Sequence, residues 1–178
     1  MMRKLCYQTF STPLGKLTGI AGNTGLCVLT FSEEELWIEA RLLKYYPGYS
    51  KSQNPNPAIQ GIFDKTKVWL EGYFSGDFKN LAQKKPKIDL QGTPFALKAW
   101  QSLQKIPNGK IQSYGEMANK LGDDNAARAV GNAMRQNPIA ILVPCHRVVG
   151  ANGKLTGYRS GLNRKEWLLQ HERALEIS

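Results

Sequence analysis

Apolar and polar positions in the first thirty residues form short runs that predict a small sheet. β-favouring runs occupy residues 4–10, 16–21 and 26–31, and clusters rich in Gly, Pro, Ser, Thr and Asn separate them. Runs of this length bounded by turn-forming residues are typical of strands joined by tight connections. We therefore expect three strands at the start of the chain.

Helical patterns follow the predicted sheet. Ser32 with Glu35 three positions later has the form of a capping box and predicts a helix as far as Lys44. After a loop rich in Pro, Gly, Ser and Asn, apolar residues recur at helical spacing as far as Phe74 and predict a second amphipathic helix. The first half, residues 1–90, is predicted to be an α/β (α+β) structural domain with a small sheet and flanking helices.

The second half, residues 91–178, is predicted to be a mostly α domain. Thr93 before a proline has the form of a helix N-cap, and Ser113 with Glu116 forms a second capping-box pattern. Asn125 is predicted to cap the next helix, which runs to Gln136. Two short helices with a break of three to four residues have the form of a helix-turn-helix. A last helix is predicted over residues 162–173.

Between these helices lies the most distinctive stretch of the chain, residues 139–149. An apolar run over 139–143 predicts a buried strand, and Pro144 ends it. A thiol, an imidazole and a guanidinium follow at once in Cys145, His146 and Arg147. A thiolate beside cationic or proton-accepting groups has a lowered pKa and becomes a good nucleophile. The alternative is an inert core cysteine, because free cysteine is among the most buried residue types.

The helix predicted after Asn125 has a surface of small residues with one long side chain, Arg128. The small residues are Ala126, Ala127, Ala129, Gly131 and Ala133. Such a surface permits close approach to the minor groove of DNA, which is only about 6 Å wide and carries a degenerate base pattern. The arginine could then fill the space left by an extruded base. The alternative is a helix packed closely against another helix, with Arg128 in solvent.

Charge and composition limit the partners, the cellular location and the metal sites expected for this protein. The formal net charge is +10, and residues 97–178 hold 12 Lys and Arg against 6 Asp and Glu. A basic excess favours polyanionic partners, although it also serves solubility. No apolar run is long enough to span a membrane and the first residues do not form a signal peptide, so we expect a cytoplasmic protein, or a nuclear one in a eukaryotic host. Three widely spaced cysteines do not suggest a disulfide framework, and the scarcity of histidine argues against zinc.

The motifs of the second half together resemble the O6-alkylguanine-DNA alkyltransferases, which repair DNA by direct reversal. The resemblance covers that half in order, and the first half fits the family only in general shape. The matched segments are Gly-Thr-Pro-Phe at 92–95, Ile-Pro-Asn-Gly at 106–109, Ser-Tyr at 113–114, Arg-Ala-Val-Gly at 128–131, Asn-Pro at 137–138, Pro-Cys-His-Arg-Val at 144–148, Gly-Tyr at 157–158 and Lys-Glu-Trp-Leu-Leu at 165–169.

This resemblance implies a catalytic role for each of five residues. Cys145 would accept the alkyl group, and His146 would take its proton through a water. Glu172 would orient the imidazole, and Asn137 would bond to the backbone of the site. Tyr114 would give a hydrogen bond or a proton to the leaving guanine and approach the 3′ phosphate. The thioether product has no step that regenerates the thiol, so the protein would act once.

The resemblance also implies a DNA surface and a pocket for the flipped base. The predicted DNA-binding residues are Thr93, Tyr114, Ala126, Ala127, Arg128, Ala129 and Gly131. The predicted pocket residues are Met134, Val148, Tyr158, Arg159 and Ser160. Ala140 and the pair at 159–160 depart from some relatives, and the change at Ala140 could alter tolerance for bulky alkyl groups. The expected partner is double-stranded DNA containing O6-alkylguanine, bound by a monomer without a metal or cofactor.

Two other functions are open at this point. A non-enzymatic DNA-damage sensor would use the helix-turn-helix and Arg128 and leave the thiol idle. A thiol hydrolase would use the Cys-His-Glu set, although no obvious oxyanion loop precedes Cys145.

Overall fold

The computed structural model describes residues 3–175. Residues 1–2 of the first predicted domain and 176–178 of the second lie outside the described part. The chain divides into two compact units, Met1–Gln91 and Gly92–Ser178. Across residues 3–175 the fold is mixed α/β, with a four-stranded sheet, a two-stranded sheet and six α-helices. None of the helices in this range is long and apolar enough to cross a membrane.

The first unit is built on the four-stranded sheet. Its strands are β1 (Lys4–Thr12), β2 (Gly15–Gly22), β3 (Gly25–Phe31) and β4 (Ser50–Ser52), in the order β3-β2-β1-β4. The first three pair antiparallel, which confirms the three predicted strands. β4 pairs parallel with β1. Its Ser-Lys-Ser sequence has no apolar alternation, and this is why the pattern gave no sign of it.

Two helices flank this sheet, α1 (Glu35–Tyr45) and α2 (Pro57–Phe74). Ile38 and Leu42 of α1 pack with Leu5 of β1 and with Cys27 and Val28 of β3 in a buried cluster. α2 begins where Asn56 accepts a hydrogen bond from the Ile59 amide at 2.9 Å. Both helices end close to the predicted positions.

The capping box predicted at Ser32 is wrong. Residues Ser32–Glu34 form a 3-10 turn, and no side-chain cap bonds to the start of α1. The Ser32 hydroxyl instead shares a hydrogen bond of 2.8 Å with the Thr18 hydroxyl of β2. A tertiary partner therefore replaced the local partner that the sequence pattern assumed.

The second unit contains four helices and a short parallel ladder. Its elements are α3 (Pro94–Leu103), β5 (Gln112–Ser113), α4 (Tyr114–Lys120), α5 (Ala127–Arg135), β6 (Val148–Val149) and α6 (Leu162–His171). β5 pairs parallel with β6. α5 packs against both α3 and α4, and α6 packs against the turn that holds Cys145. The buried Trp100 indole joins α3 to α5 by donating to the Ala133 carbonyl at 2.9 Å.

Local caps set two of these helices as predicted. Thr93 accepts from the Ala96 amide at 3.2 Å, and the Ser113–Glu116 capping box has both of its bonds. The cap predicted at Asn125 is wrong, because Ala126 occupies the N-cap position of α5 and no side chain bonds there. The Asn125 amide donates to the Asp123 carboxylate instead, within the turn that precedes α5.

The strand predicted over residues 139–143 is also wrong. The segment is buried but folds into successive tight turns: the Leu142 amide donates to the Ala140 carbonyl at 2.7 Å, and the Val143 amide donates to the Ile139 carbonyl at 3.0 Å. Ile141, between them, has φ of 67°, a strained conformation for a β-branched residue. A continuous apolar run indicates burial, but it does not by itself distinguish a strand from another buried conformation.

We predict that Ser113→Ala destabilises the protein by about 1 kcal/mol, because α4 loses its N-cap hydrogen bond. The free energy of unfolding in urea measures the effect. Ser11→Ala, on the exposed part of β1, serves as the control and should stay close to the parent. Equal stability of both variants and the parent would show that the capping box contributes nothing.

Candidate active site

Cys145 opens a 3-10 turn, Cys145–Arg147, directly before β6. Its side chain is almost enclosed, with 8% of the residue exposed. The Asn137 side-chain amide donates to the Cys145 sulfur at 3.1 Å. The Cys145 amide also donates to the Val143 carbonyl at 2.9 Å across Pro144, which holds the backbone on the N-terminal side of the cysteine.

Asn137 organises the turns before the cysteine. Its Nδ2 donates to the Val143 carbonyl at 2.7 Å as well as to the sulfur, and its Oδ1 accepts from the Ile139 amide at 3.1 Å. One buried amide thus bonds to both ends of the 139–143 segment and to the thiol. Because a side-chain amide has two N–H donors and one carbonyl, these contacts use both kinds of group that it offers.

His146 and Glu172 form a buried pair beside the cysteine. His146 Nε2 lies 2.8 Å from Glu172 Oε1, and both side chains are fully buried. No hydrogen bond within residues 3–175 reaches His146 Nδ1. An ionised carboxylate only accepts, so Nε2 carries the proton and Nδ1 keeps its lone pair. The carboxylate thereby fixes the tautomer in which the imidazole can act as a base at Nδ1.

Arg147 clamps the same carboxylate from its other side. Its Nε donates to Glu172 Oε2 at 2.7 Å and its Nη2 donates to Oε1 at 2.8 Å. The guanidinium also donates to the Ile106 carbonyl at 2.5 Å and to the Asn108 side chain. The sequence predicted Arg147 as a cationic neighbour of the thiol, but in the structure its guanidinium binds Glu172. No local pattern in the sequence indicated that pairing.

Burial and the neighbouring polar or charged groups act in opposite directions on the pKa of each of these three residues. Burial raises the pKa of the Cys145 thiol, although the Asn137 hydrogen bond and the positive charges of Arg159 and Lys165 oppose it. Burial lowers the pKa of His146 despite the opposing effect of Glu172. Burial works against ionisation of Glu172 too, but His146 and Arg147 hold its pKa well below the usual range. The resting site is therefore a neutral thiol, a neutral imidazole and an ionised carboxylate.

Tyr114 lies at the first position of α4, between α5 and the loop that follows residue 155. A Cβ added to Gly131 would lie 3.9 Å from the Tyr114 ring, and one added to Gly157 would lie 3.5 Å from its hydroxyl. The hydroxyl donates toward the Thr156 carbonyl at 3.2 Å and the Gly157 carbonyl at 3.4 Å. Burial raises the pKa of Tyr114, so the hydroxyl keeps its proton.

The residues predicted to contact DNA differ in exposure. Thr93, Arg128 and Ala129 are exposed, and Ala127 and Gly131 are half-buried. The assignment of Ala126 and Ala133 to the bare surface of α5 is wrong, because both are buried, with 8% and 3% exposed. The pattern of small residues did not show which of them face the interior, and the packing of α3 and α4 against α5 decides this.

Of the predicted pocket residues, two are buried and three lie on a half-buried loop. Met134 and Val148 are buried. Tyr158, Arg159 and Ser160 are half-buried. The Arg159 guanidinium reaches the end of α5 and donates to the Arg135 carbonyl at 2.5 Å and to the Asn137 carbonyl at 3.1 Å. Within residues 3–175, no group of three or more His, Cys, Asp or Glu side chains is arranged to hold a metal ion.

The protein is thus a mixed α/β protein with an enclosed cysteine beside a histidine–carboxylate pair. The model of the family "6-O-methylguanine DNA methyltransferase, DNA binding domain" matches residues 94–174. The methylated-DNA–protein-cysteine methyltransferase of Mycobacterium bovis is 43% identical over 170 residues, covering 94% of this chain and 92% of the relative. The chain belongs to the family of methylated-DNA–protein-cysteine methyltransferases.

Other relatives agree with this assignment. The methylated-DNA–protein-cysteine methyltransferase of Salmonella typhimurium is 40% identical over 174 residues, covering 96% of this chain and 97% of the relative. A crystal structure of Mycobacterium tuberculosis OGT in complex with DNA superposes with a TM-score of 0.75 at 37% identity, covering 96% of this chain and 92% of that one. The similarity extends over both units, although the sequence motifs were concentrated in the second.

We predict that Glu172→Gln destabilises the protein by about 3–5 kcal/mol at neutral pH, because the buried Arg147 loses its counter-charge. The depressed folded-state pKa of Glu172 contributes stability that is present above the unfolded value of about 4.3 and is lost as the pH falls below it. Acidification should therefore destabilise the parent more than the variant. Urea unfolding over a pH series measures both effects. Glu166→Gln, exposed on α6, is the control, and a parallel acid response of all three proteins would contradict the prediction.

Proposed function

We propose that the protein repairs DNA by transferring the alkyl group of O6-alkylguanine to Cys145, once per molecule and irreversibly. The observation that carries this is the enclosed Cys145 sulfur, held by Asn137 and followed directly by a histidine already paired with Glu172. An acceptor of this kind needs an activated thiol and a site that excludes water. Family membership supports the chemistry, and the enclosed sulfur with its Asn137 hydrogen bond supports Cys145 as the acceptor.

Ionisation of the thiol is the first step. His146 Nδ1, the nitrogen with a lone pair, takes the thiol proton through a bridging water. The imidazolium that results is stabilised by Glu172, to which it is hydrogen-bonded at 2.8 Å. Arg147 keeps this carboxylate ionised, so Glu172 stabilises the positive charge and does not remove the proton itself. A free thiol is only a few per cent ionised at neutral pH, and this relay supplies the thiolate when it is needed.

Transfer follows by direct displacement. The sulfur forms a bond to the alkyl carbon as the bond from that carbon to guanine O6 breaks, and the electron pair leaves with the guanine. Tyr114, which keeps its proton because its pKa is raised, donates to the guanine and offsets the negative charge. A thioether differs from an acyl-enzyme because water has no carbonyl to attack. The thiol is therefore not regenerated.

The guanine reaches Cys145 by flipping out of the duplex, because a base inside the helix cannot approach an enclosed sulfur. α4 and α5 form the helix-turn-helix that docks in the minor groove of DNA. The small side chain of Ala129 permits close approach of α5 to the groove. The exposed Arg128 enters the space that the base leaves. The excess of basic residues favours binding to the phosphate backbone. The monomeric state, the cytoplasmic location and the independence from cofactors stay predictions.

We predict that incubation with a duplex containing O6-methylguanine adds one methyl group to the protein and that peptide mass analysis finds it on Cys145. Cys145→Ser should gain no mass, because a serine hydroxyl is far less ionised than a thiol. Cys27→Ser serves as the matched thiol control, since Cys27 is fully buried in the first unit, and it should still be methylated at Cys145. Repair beyond one equivalent would refute a single irreversible transfer, and repair by Cys145→Ser would refute the acceptor.

We predict that Arg128→Ala slows methyl transfer from duplex DNA by about tenfold or more. Extrusion of the target base from the duplex costs a few kcal/mol, and the arginine that takes its place offsets part of this cost. Transfer from a single-stranded oligonucleotide should change much less, since no base pair has to open. Arg135→Ala removes the same charge from the other end of α5 and is the control. Single-turnover rates on both substrates provide the measurement. An equal loss on both substrates would indicate that Arg128 contributes only to general DNA binding.

A further inference from the structure

The first strand of the sheet, β1, has an open edge along part of its length. β1 lies between β2 and β4, but β4 is short and pairs with β1 only at residues 4–6. Over residues 7–12, β1 pairs with β2 on one side. On the other side, no strand within residues 3–175 pairs with this stretch. Tyr7, Thr9 and Ser11 are exposed along it.

The backbone groups of every second residue point toward this open edge. The Ser50 amide of β4 donates to the carbonyl of Arg3, just before β1, at 3.0 Å. Residues in an antiparallel ladder alternate between those that bond to the partner strand and those that do not. The amides and carbonyls of Tyr7, Thr9 and Ser11 therefore face the same side as those of Arg3. They are placed to bond to one more strand, beyond the end of β4.

This edge lacks the features that keep other strands away. Proteins protect open edges with lysine, proline, bulges or very short strands. The segment Tyr-Gln-Thr-Phe-Ser at 7–11 contains neither a charge nor a proline. It pairs with β2 in an unbroken register, so no bulge twists the edge away. A neutral and regular edge of this kind is suited to receive another strand.

Two cavities lie beside the edge, one on each face of the sheet. The larger, of about 500 Å³, is lined by Leu5 of β1, and the smaller, of about 280 Å³, is lined by Phe10. Successive side chains of a strand point to opposite faces, so these two residues, five positions apart, mark opposite faces. Thr9 lines both cavities, which places the edge between them. An added strand would therefore direct alternate side chains into the two cavities.

The larger cavity has an apolar floor and a charged rim. Ile20, Ile38 and Leu42 form the floor together with Leu5. This floor favours a large apolar side chain, because it offers apolar surface that the ligand can remove from water.

The rim of the larger cavity has a lysine close to the edge. Lys16 of β2 lies opposite Ser11 in the ladder and lines the cavity, and no ion pair engages it within residues 3–175. Lys51, at the β4 end of the rim, is paired with Glu39. Glu35 also lines the rim, but it comes from α1. The formal net charge of +10 adds a long-range preference for acidic partners.

We propose that the open edge of β1 binds an extended acidic segment of a partner protein by strand addition. Hydrogen bonds to Tyr7, Thr9 and Ser11 supply the affinity, and the two cavities select the alternate side chains. A large apolar side chain occupies the larger cavity, and a carboxylate two residues away meets Lys16. The inference goes beyond the proposed function. It gives a role in protein binding to the first unit, which contains none of the predicted catalytic, DNA-binding or pocket residues.

The probe is a labelled peptide, Thr-Asp-Val-Leu-Val-Asp-Thr, with both ends blocked. Its side chains read the same in either direction, so the leucine can enter the larger cavity and an aspartate can meet Lys16 whichever way the strand runs. We expect saturable binding to the full chain in fluorescence anisotropy, and slower hydrogen exchange at the Thr9 and Ser11 amides. The same peptide with its valine and leucine amides N-methylated should bind about tenfold more weakly or less, because a blocked amide cannot donate. Equal binding of both peptides, or no saturable binding up to about 1 mM, would overturn the proposal.

Protein variants test the edge and the rim separately. Thr9→Pro removes one amide from the edge, where proline is tolerated because its missing N–H faces away from the ladder. It should weaken binding of the peptide about fivefold, whereas Thr9→Ala keeps the amide and should match the parent. Lys16→Gln should weaken binding about threefold, and Lys65→Gln, exposed on α2, should not. Unchanged binding by folded Thr9→Pro would overturn the proposal. If this variant does not fold, the N-methylated peptide decides on the parent protein.

Sedimentation separates a partner segment from a second copy of this chain. We expect a monomer that binds one peptide. A parent that sediments as a dimer, and that the peptide converts to a monomer, would show that β1 of a second copy occupies the edge, which would overturn the proposal. Methyl transfer from DNA should be the same for Thr9→Pro and the parent. The peptide measurements therefore stand or fail independently of the proposed alkyl transfer.

Discussion

The site depends on one buried carboxylate that is shared between two cations. Glu172 binds His146 through one oxygen and Arg147 through both, at 2.7–2.8 Å and out of contact with solvent. A carboxylate in this position is costly to bury alone and stabilising only when its partners are in place. The contacts of Arg147 with the Ile106 carbonyl and the Asn108 side chain then extend the same network to the turn after α3. The network that fixes the histidine tautomer therefore also joins the cysteine turn, the end of α6 and the turn after α3.

In this arrangement the resting thiol is unreactive, although the groups that activate it are already in place. Burial keeps the Cys145 thiol and the His146 imidazole neutral, so a resting protein does not expose a reactive thiolate. The groups that favour the thiolate are already fixed around it: the Asn137 amide, the tautomer of His146 set by Glu172, and the charges of Arg159 and Lys165. In the proposed reaction the sulfur is consumed, so a protein that acts once gains from a thiol that stays unreactive until a base enters the pocket.

Local sequence predicted the elements whose determinants are local. The three strands of the first unit, the helix that ends at Phe74, and the caps at Thr93 and Ser113 appear as expected, because alternation and capping depend on neighbours within a few residues. The same reasoning failed at Ser32, which shares a hydrogen bond with Thr18 instead of capping a helix. It also failed at Asn125, whose backbone amide bonds within the preceding turn. It also failed at residues 139–143, where Asn137 holds a buried apolar segment in tight turns rather than as a strand.

The amino-acid sequence was enough to identify the candidate reactive groups. The adjacent thiol and imidazole, the lone arginine among small residues, and the order of motifs were all readable without coordinates. The contacts between these groups follow from the three-dimensional packing and from nothing local in the chain. Glu172 lies 26 residues from His146 along the chain, and Lys165 lies 17 from Val148, whose carbonyl its ammonium binds. Pairings over such separations are set by how α6 packs on the cysteine turn, and no local pattern encodes them. That packing gave Arg147 and Lys165 their contacts.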